Sequence, residues 1–327
     1  MQSRMKAFLS SLRRAVHSPH FDTIAILLAI VIVVGSVYAY SENWPPMVVV
    51  ESNSMQHGSD DVLGVINTGD IVLVKAVNVP SGVNTYVGSE TSGYSTYGEL
   101  GDVIVYHPNG DSSSTPIIHR AILWLDWNAA TGNYAAPSLF PLKCGPQGDY
   151  VTYPSGGSPS EAVCPTSPST PLQPNLELFH VGWQSAVVTI KLDQLGALPG
   201  NQHSGYITMG DNNFAVAGAG NFDQNGCDIS CIVEPSWVVG VARGMLPWLG
   251  ILKLELTGQT ACIQGPTGPE GGCIPQASQD YLAICIFIIV LLLTVVPWGI
   301  RRFRKRSRNR GRTKEPTKQE DVTALPP

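Results

Sequence analysis

Charge is scarce in this chain: Asp, Glu, Lys and Arg make up 14% of its 327 residues. Cations are nearly missing from the middle, where only Lys75, Arg120, Lys143, Lys191, Arg243 and Lys253 stand against many more Asp and Glu. A segment so poor in Lys and Arg fits the translocated side of a membrane. No long amphipathic helical period runs through it either, which argues against a helical body and for a predominantly β one. Internal repeats are absent. Cys227 and Cys231 have no second pair nearby at metal-ligand spacing and no His cluster, so zinc is the weaker reading of these cysteines. Nothing in the pattern calls for a metal or a cofactor.

Two long apolar runs lie near the ends. IAILLAIVIVVGSVYAY, from Ile24 to Tyr40, carries no charge and has Phe21 and Trp44 at its edges. YLAICIFIIVLLLTVVPWGI, from Tyr281 to Ile300, is equally uncharged, with aromatic residues at both ends. Each approaches the roughly 20 residues that a spanning helix needs. Arg4, Lys6, Arg13 and Arg14 precede the first run and RRFRKRSRNRGR follows the second from Arg301. Positive flanks stay cytoplasmic, so the expected layout is a multi-pass cell-membrane protein. It has basic cytoplasmic ends (1–20 and 301–327), helices over 21–43 and 281–300, and an extracytoplasmic body over 44–257. A Gly/Pro-rich linker, 258–280, leads to the second helix. A cleaved signal peptide is the competing reading of the first run. That run exceeds the usual h-region, and the small residues near its end precede Tyr and Trp. The basic tract after the second run reads as a topology signal or anionic-lipid contact, and no nucleic-acid partner is expected.

Six of the seven cysteines lie between the runs and form three local pairs: Cys144 with Cys164, Cys227 with Cys231, and Cys262 with Cys273. An even count outside, with Cys285 inside the second run, fits disulfides made in an oxidising compartment, paired here by neighbourhood alone.

Strand signals recur through the body. MVVVESNSM turns polar at Ser52, and VLGVINTGDIVLVKAV reads as a hairpin-like pair turning at Asn67 to Asp70. GDVIVYH, TPIIHRAILWLDW, AVVTIKL, GYITMGD and SWVVGVARGML continue the pattern. Two Ser/Gly/Pro-rich stretches, about 78–99 and 128–184, read as insertions outside the β core, the second long enough for a small subdomain tied by Cys144 and Cys164.

A hydroxyl nucleophile needs an exposed turn, a base, a group that orients the base, and donors for an oxyanion. Three segments supply them: Ser52-Asn53-Ser54-Met55 just beyond the first apolar run, Ile117-Ile118-His119-Arg120-Ala121-Ile122, and Thr208-Met209-Gly210-Asp211-Asn212-Asn213 followed by Asn221-Phe222-Asp223-Gln224. Each alone has a bland reading, as a turn-forming serine, a hydrogen-bonded core histidine, or a turn carboxylate bonding its own backbone.

Their order, with GDIVLV and GDVIVY between the first two, resembles the type I signal peptidases. His119 at the base position, where the bacterial branch has Lys, is similar to the archaeal and endoplasmic-reticulum branch. Lys75 does not match the bacterial base position. The resemblance implies a β catalytic domain of signal-peptidase type, with Ser54 as nucleophile, His119 as general base, and Asp223 as the third member. Asp211 would be in support, although the AVAGAG stretch lengthens the spacing and leaves the choice between the two carboxylates open. Ser52, the Ser54 amide and Met55 match the oxyanion and substrate-binding positions. The implied partners are signal peptides of secreted preproteins, cut after small residues, and membrane lipid. The insertions and second helix exceed the family's minimal plan, and no residue in them decides between positioning substrate and binding the translocation machinery. Two rival readings stay open: an inactive adapter that binds signal peptides, and a peptidase dedicated to one surface or pilin-like protein.

Overall fold

The computed structural model describes residues 21–58, 61–215, 219–227, 229–258 and 274–312. The first apolar run forms α1 (Phe21–Ser41), followed by β1 (Met47–Val49) and β2 (Ile71–Lys75). A short helix α2 (Tyr86–Ser89) and the small ladder of β3 (Ser95–Thr96) with β4 (Glu99–Leu100) precede β5 (Val103–Tyr106), β6 (Ile117–Asn128) and β7 (Asn133–Ala135). Then come β8 (Tyr150–Tyr153), β9 (Asn175–Val181), β10 (Ala186–Lys191), α3 (Leu192–Ala197) and β11 (Gly205–Met209). After β12 (Phe214–Ala215), β13 (Ala219–Gly220) and β14 (Val238–Leu246), the chain closes with α4 (Ile251–Leu256) and α5 (Gln276–Arg312).

The larger sheet runs β1-β2-β14-β5-β6-β11, with β7 added against β6, and every neighbouring pair is antiparallel. The smaller one runs β12-β13-β10-β9-β8. Every residue of β5, VIVY, is buried, as expected for a central strand covered on both faces. The glycine ahead of it is obligatory. Gly101 has φ +78°, and a Cβ there would meet the Tyr86 backbone nitrogen at 2.6 Å.

Three expectations change. Val62–Ile66 forms no strand, because the Asn67 side chain donates to the Val62 and Val65 carbonyls and accepts from the Val62 amide, coiling that stretch into turns. β2 pairs with β1 and β14 instead. The 78–99 stretch is not outside the core, since Tyr86 and Val87 are buried in the largest apolar cluster. Nor is 128–184 a separate subdomain. Its Leu139, Leu176 and Leu178 share that cluster with Leu123, Leu125 and Ile207 of the larger sheet, so both sheets close over one core.

The end of α1 is tied to β2: the Ala76 amide donates to the Ser41 carbonyl at 2.8 Å, and the Lys75 ammonium lies 4.8 Å over the Tyr40 ring. Thr23–Ser41 and Gln276–Val295 are long and apolar enough to cross a membrane, with mean hydropathies of 2.4 and 2.2. α5 continues through the basic tract to Arg312, beyond the expected end of the span. From Ser278 onward the chain forms a compact unit of its own. Disulfides join Cys144 to Cys164 and Cys227 to Cys231, and Cys285 is free. The expected Cys262–Cys273 pair lies outside the described residues.

Candidate active site

Ser54 sits on a turn just past β1, closed by the Gln56 amide donating to the Asn53 carbonyl at 3.1 Å. Met55 anchors that turn. Its side chain is fully buried among Val50, Ile66, Val72 and Val103. His119 is the third residue of β6, opposite Ile104 of β5. Asp223 follows β13, and its amide donates to the Thr208 carbonyl at 2.9 Å. Segments 65 and 104 residues apart thus meet at one imidazole.

His119 Nδ1 lies 2.6 Å from Asp223 Oδ2, and Nε2 lies 2.9 Å from Ser54 Oγ. Asp223 is an acceptor, so Nδ1 carries the proton that it receives. Nε2 is then the bare nitrogen and accepts from the Ser54 hydroxyl. Two further donors converge on the same carboxylate oxygen: the Tyr106 hydroxyl at 2.9 Å and the Thr208 hydroxyl at 2.7 Å. Gln224 holds Thr208 in turn, donating to its hydroxyl at 2.9 Å and accepting from its amide at 2.8 Å. Burial, with the Asp223 charge beside it, pushes the Tyr106 phenol far above its ordinary range and keeps it a donor.

Asp211 does a different job. Arg120 donates from Nε to Oδ1 at 2.7 Å and from Nη2 to Oδ2 at 2.6 Å, a bidentate fork. Burial raises the Asp211 carboxyl, but the guanidinium charge and its hydrogen bonds outweigh that and hold it below the usual carboxylate range. The other terminal nitrogen of Arg120 donates to the carbonyls of Thr96, Glu99, Leu100 and Gly101. Where the sequence left two carboxylates competing, the geometry puts Asp223 on the imidazole and Asp211 on the arginine.

The turn around Asp211 also grips the serine loop. The Asn212 amide donates to the Ser54 carbonyl at 2.7 Å, and its side chain donates to the Asn53 carbonyl at 3.2 Å. Gly210 packs so closely that a Cβ would lie 2.5 Å from the Ser54 carbonyl oxygen and 2.9 Å from His119 Nε2. The Ser52 hydroxyl is 3.0 Å from Ser54 Oγ.

Ser54 and His119 open onto a groove of about 680 Å³ walled by Met47 and Val49 of β1, Ile117 of β6, and Ile229. Its lining is mainly apolar, and the Lys253–Glu51 ion pair borders it at 2.7 Å. This shape suits an extended peptide laid beside the β1 edge. Among the described residues no cluster of three or more His, Cys, Asp or Glu side chains forms a metal cage.

Sequence reasoning gave no role to Tyr106, His57 or Trp183, nor to Thr208 and Gln224, although it quoted the last two within its third segment. Tyr106 and Thr208 sit in strands the patterning does show, but only register reveals that both reach Asp223. No family model, no curated protein and no solved structure matches this chain.

Proposed function

We propose that the chain is a membrane-bound serine endopeptidase that removes signal peptides, working by the Ser-His-Asp chemistry of the archaeal and endoplasmic-reticulum signal peptidases. The observation that carries this reading is the unbroken hydrogen-bonded chain from Ser54 through His119 to Asp223, opening onto a peptide-sized apolar groove.

On this reading a peptide lies along β1 with its scissile carbonyl over Ser54. His119 Nε2 takes the hydroxyl proton as Oγ bonds to the carbonyl carbon, and Asp223 stabilises the imidazolium through Nδ1–H. The tetrahedral oxyanion is met by the Ser54 amide and the Ser52 hydroxyl. Its collapse breaks the C–N bond, with the leaving amine taking the proton from Nε2. Water then repeats the sequence against the acyl-enzyme, releasing the signal peptide's new carboxylate and restoring Ser54. The groove walls set substrate choice, and α1 holds the site beside the membrane from which a preprotein emerges.

The test is cleavage of a purified preprotein in detergent by the intact chain, Ser54→Ala and His119→Ala, with the cut mapped by mass spectrometry. A cut after a small residue that is lost in both variants is the expected result. An intact chain that cleaves nothing would move the reading to a binding adapter. Cleavage of a single surface protein alone would mark a dedicated processing enzyme.

A further inference from the structure

The turn between β9 and β10 reaches the catalytic centre. Trp183, at its tip, donates from Nε1 to the Asp211 backbone carbonyl at 2.9 Å. Its ring stacks on His57, with centroids 5.5 Å apart and planes 17° apart. His57 stands three residues beyond Ser54, and its Nε2 lies 3.2 Å from Asp211 Oδ2. The hairpin is fixed at its base as well: Tyr86 donates its hydroxyl to the His180 carbonyl and accepts from the Gly182 amide, both at 3.1 Å.

One path of contacts therefore runs from the smaller sheet to the nucleophile. Trp183 braces both Asp211 and His57; the Asp211–Asn212 turn holds the Ser54 carbonyl, and His57 holds the far end of the serine turn. None of these groups touches the reacting atoms. Both Asp211 oxygens are already engaged by Arg120, so the turn would survive without the hairpin. What Trp183 adds is restraint on where the turn sits. Nucleophile and base gain most of their advantage from being held within a fraction of an ångström of the reactive geometry.

We infer that Trp183 and His57 are positioning residues, through which the smaller sheet holds the Ser54 turn in register with His119. This assigns the 128–184 stretch, to which Trp183 belongs, a part in catalysis. Its kinetic consequence rests on the peptidase reading, whereas its structural consequence does not.

The experiment compares the full chain in detergent with Trp183→Ala and Trp183→Phe. Amide hydrogen exchange is read over residues 51–57 and 209–213, alongside the rate at which a fluorophosphonate labels Ser54 and the kcat and KM for a preprotein peptide. In Trp183→Ala the Asn212 amide should exchange about tenfold faster, as expected when a restraint worth one hydrogen bond is lost. Labelling and kcat should fall by a similar factor with KM unchanged. Trp183→Phe keeps the stack and should sit between; being the milder change, it decides the matter should Trp183→Ala fail to fold. Unaltered exchange in these segments overturns the inference, and so does a rise in KM at constant kcat, which would make Trp183 a substrate contact. If the unaltered chain neither labels nor cuts, the peptidase reading fails, while the exchange data still decide whether Trp183 orders the turn.

Discussion

Three donors converge on a single carboxylate oxygen of Asp223: His119 Nδ1, the Tyr106 hydroxyl and the Thr208 hydroxyl. Replacing Asp223 by Asn sets an amide where an acceptor must be, so the imidazole turns its proton toward Ser54. Peptide cleavage should drop about 10,000-fold, with little change in KM. Tyr106→Phe removes one of the three donors and keeps the ring; a kcat loss of about tenfold is expected from the same assay. Ser52→Ala should cost on the order of a hundredfold if its hydroxyl meets the oxyanion, and an unchanged rate removes it from that role. Asp211→Asn should act on folding first. It strips the charge partner from Arg120, which is 1% exposed, and a loss of about 3–5 kcal/mol is expected in urea unfolding. Ser52, Ser54, His119, Asp211 and Asp223 could be singled out because short motifs carried them. Thr208 was not, because a bulge between Ile207 and Thr208 sets it opposite Ala121, and no alternation rule foretells a bulge.

At the scale of elements, apolar runs told where strands form and misjudged what they pair with. GDIVLVK and GDVIVY became β2 and β5, yet the partner expected for β2 dissolved into turns at Asn67. A single amide side chain that bonds the backbone locally competes with a ladder, and composition does not announce the winner. The Ser/Gly/Pro-rich 128–184 stretch misled for another reason: its few apolar residues are spaced for burial against the larger sheet, which is invisible until the sheets are stacked. Leu176 is fully buried at that junction. Leu176→Ala should therefore destabilise the whole β body by about 2–5 kcal/mol in one transition, whereas an independent subdomain would melt separately.

For the molecule as a whole, two helices suited to crossing a membrane flank a β body whose stability carries its own pH signature. Burial lifts the Asp70 carboxyl to about 6 from an ordinary 3.8, against the pull of the Asn67 and Trp248 amides. The folded chain thus holds a proton there that the unfolded chain has released between those values. Stability falls as pH rises from about 4 to about 6, by about 3 kcal/mol from this group. Asp70→Asn should lose that slope, which urea unfolding at pH 4.5 and 7 would read as a difference from the unaltered chain.

On the peptidase reading, the knot between α1 and β2 has a consequence for what the protein would accept as substrate. Ser41 is tied to Ala76 just past one end of β2, and the Val50 and Gly69 amides bond across its other end, beside the turn that carries Ser54. Between the helix exit and the start of the loop that carries the nucleophile lie the five residues of one strand, about 16 Å at about 3.3 Å each. A peptidase built so is a ruler as well as a reader. It would choose its bond by reach from the bilayer, and a preprotein lengthened by a few residues between its apolar stretch and its cut site would present a correct sequence at an unreachable mark.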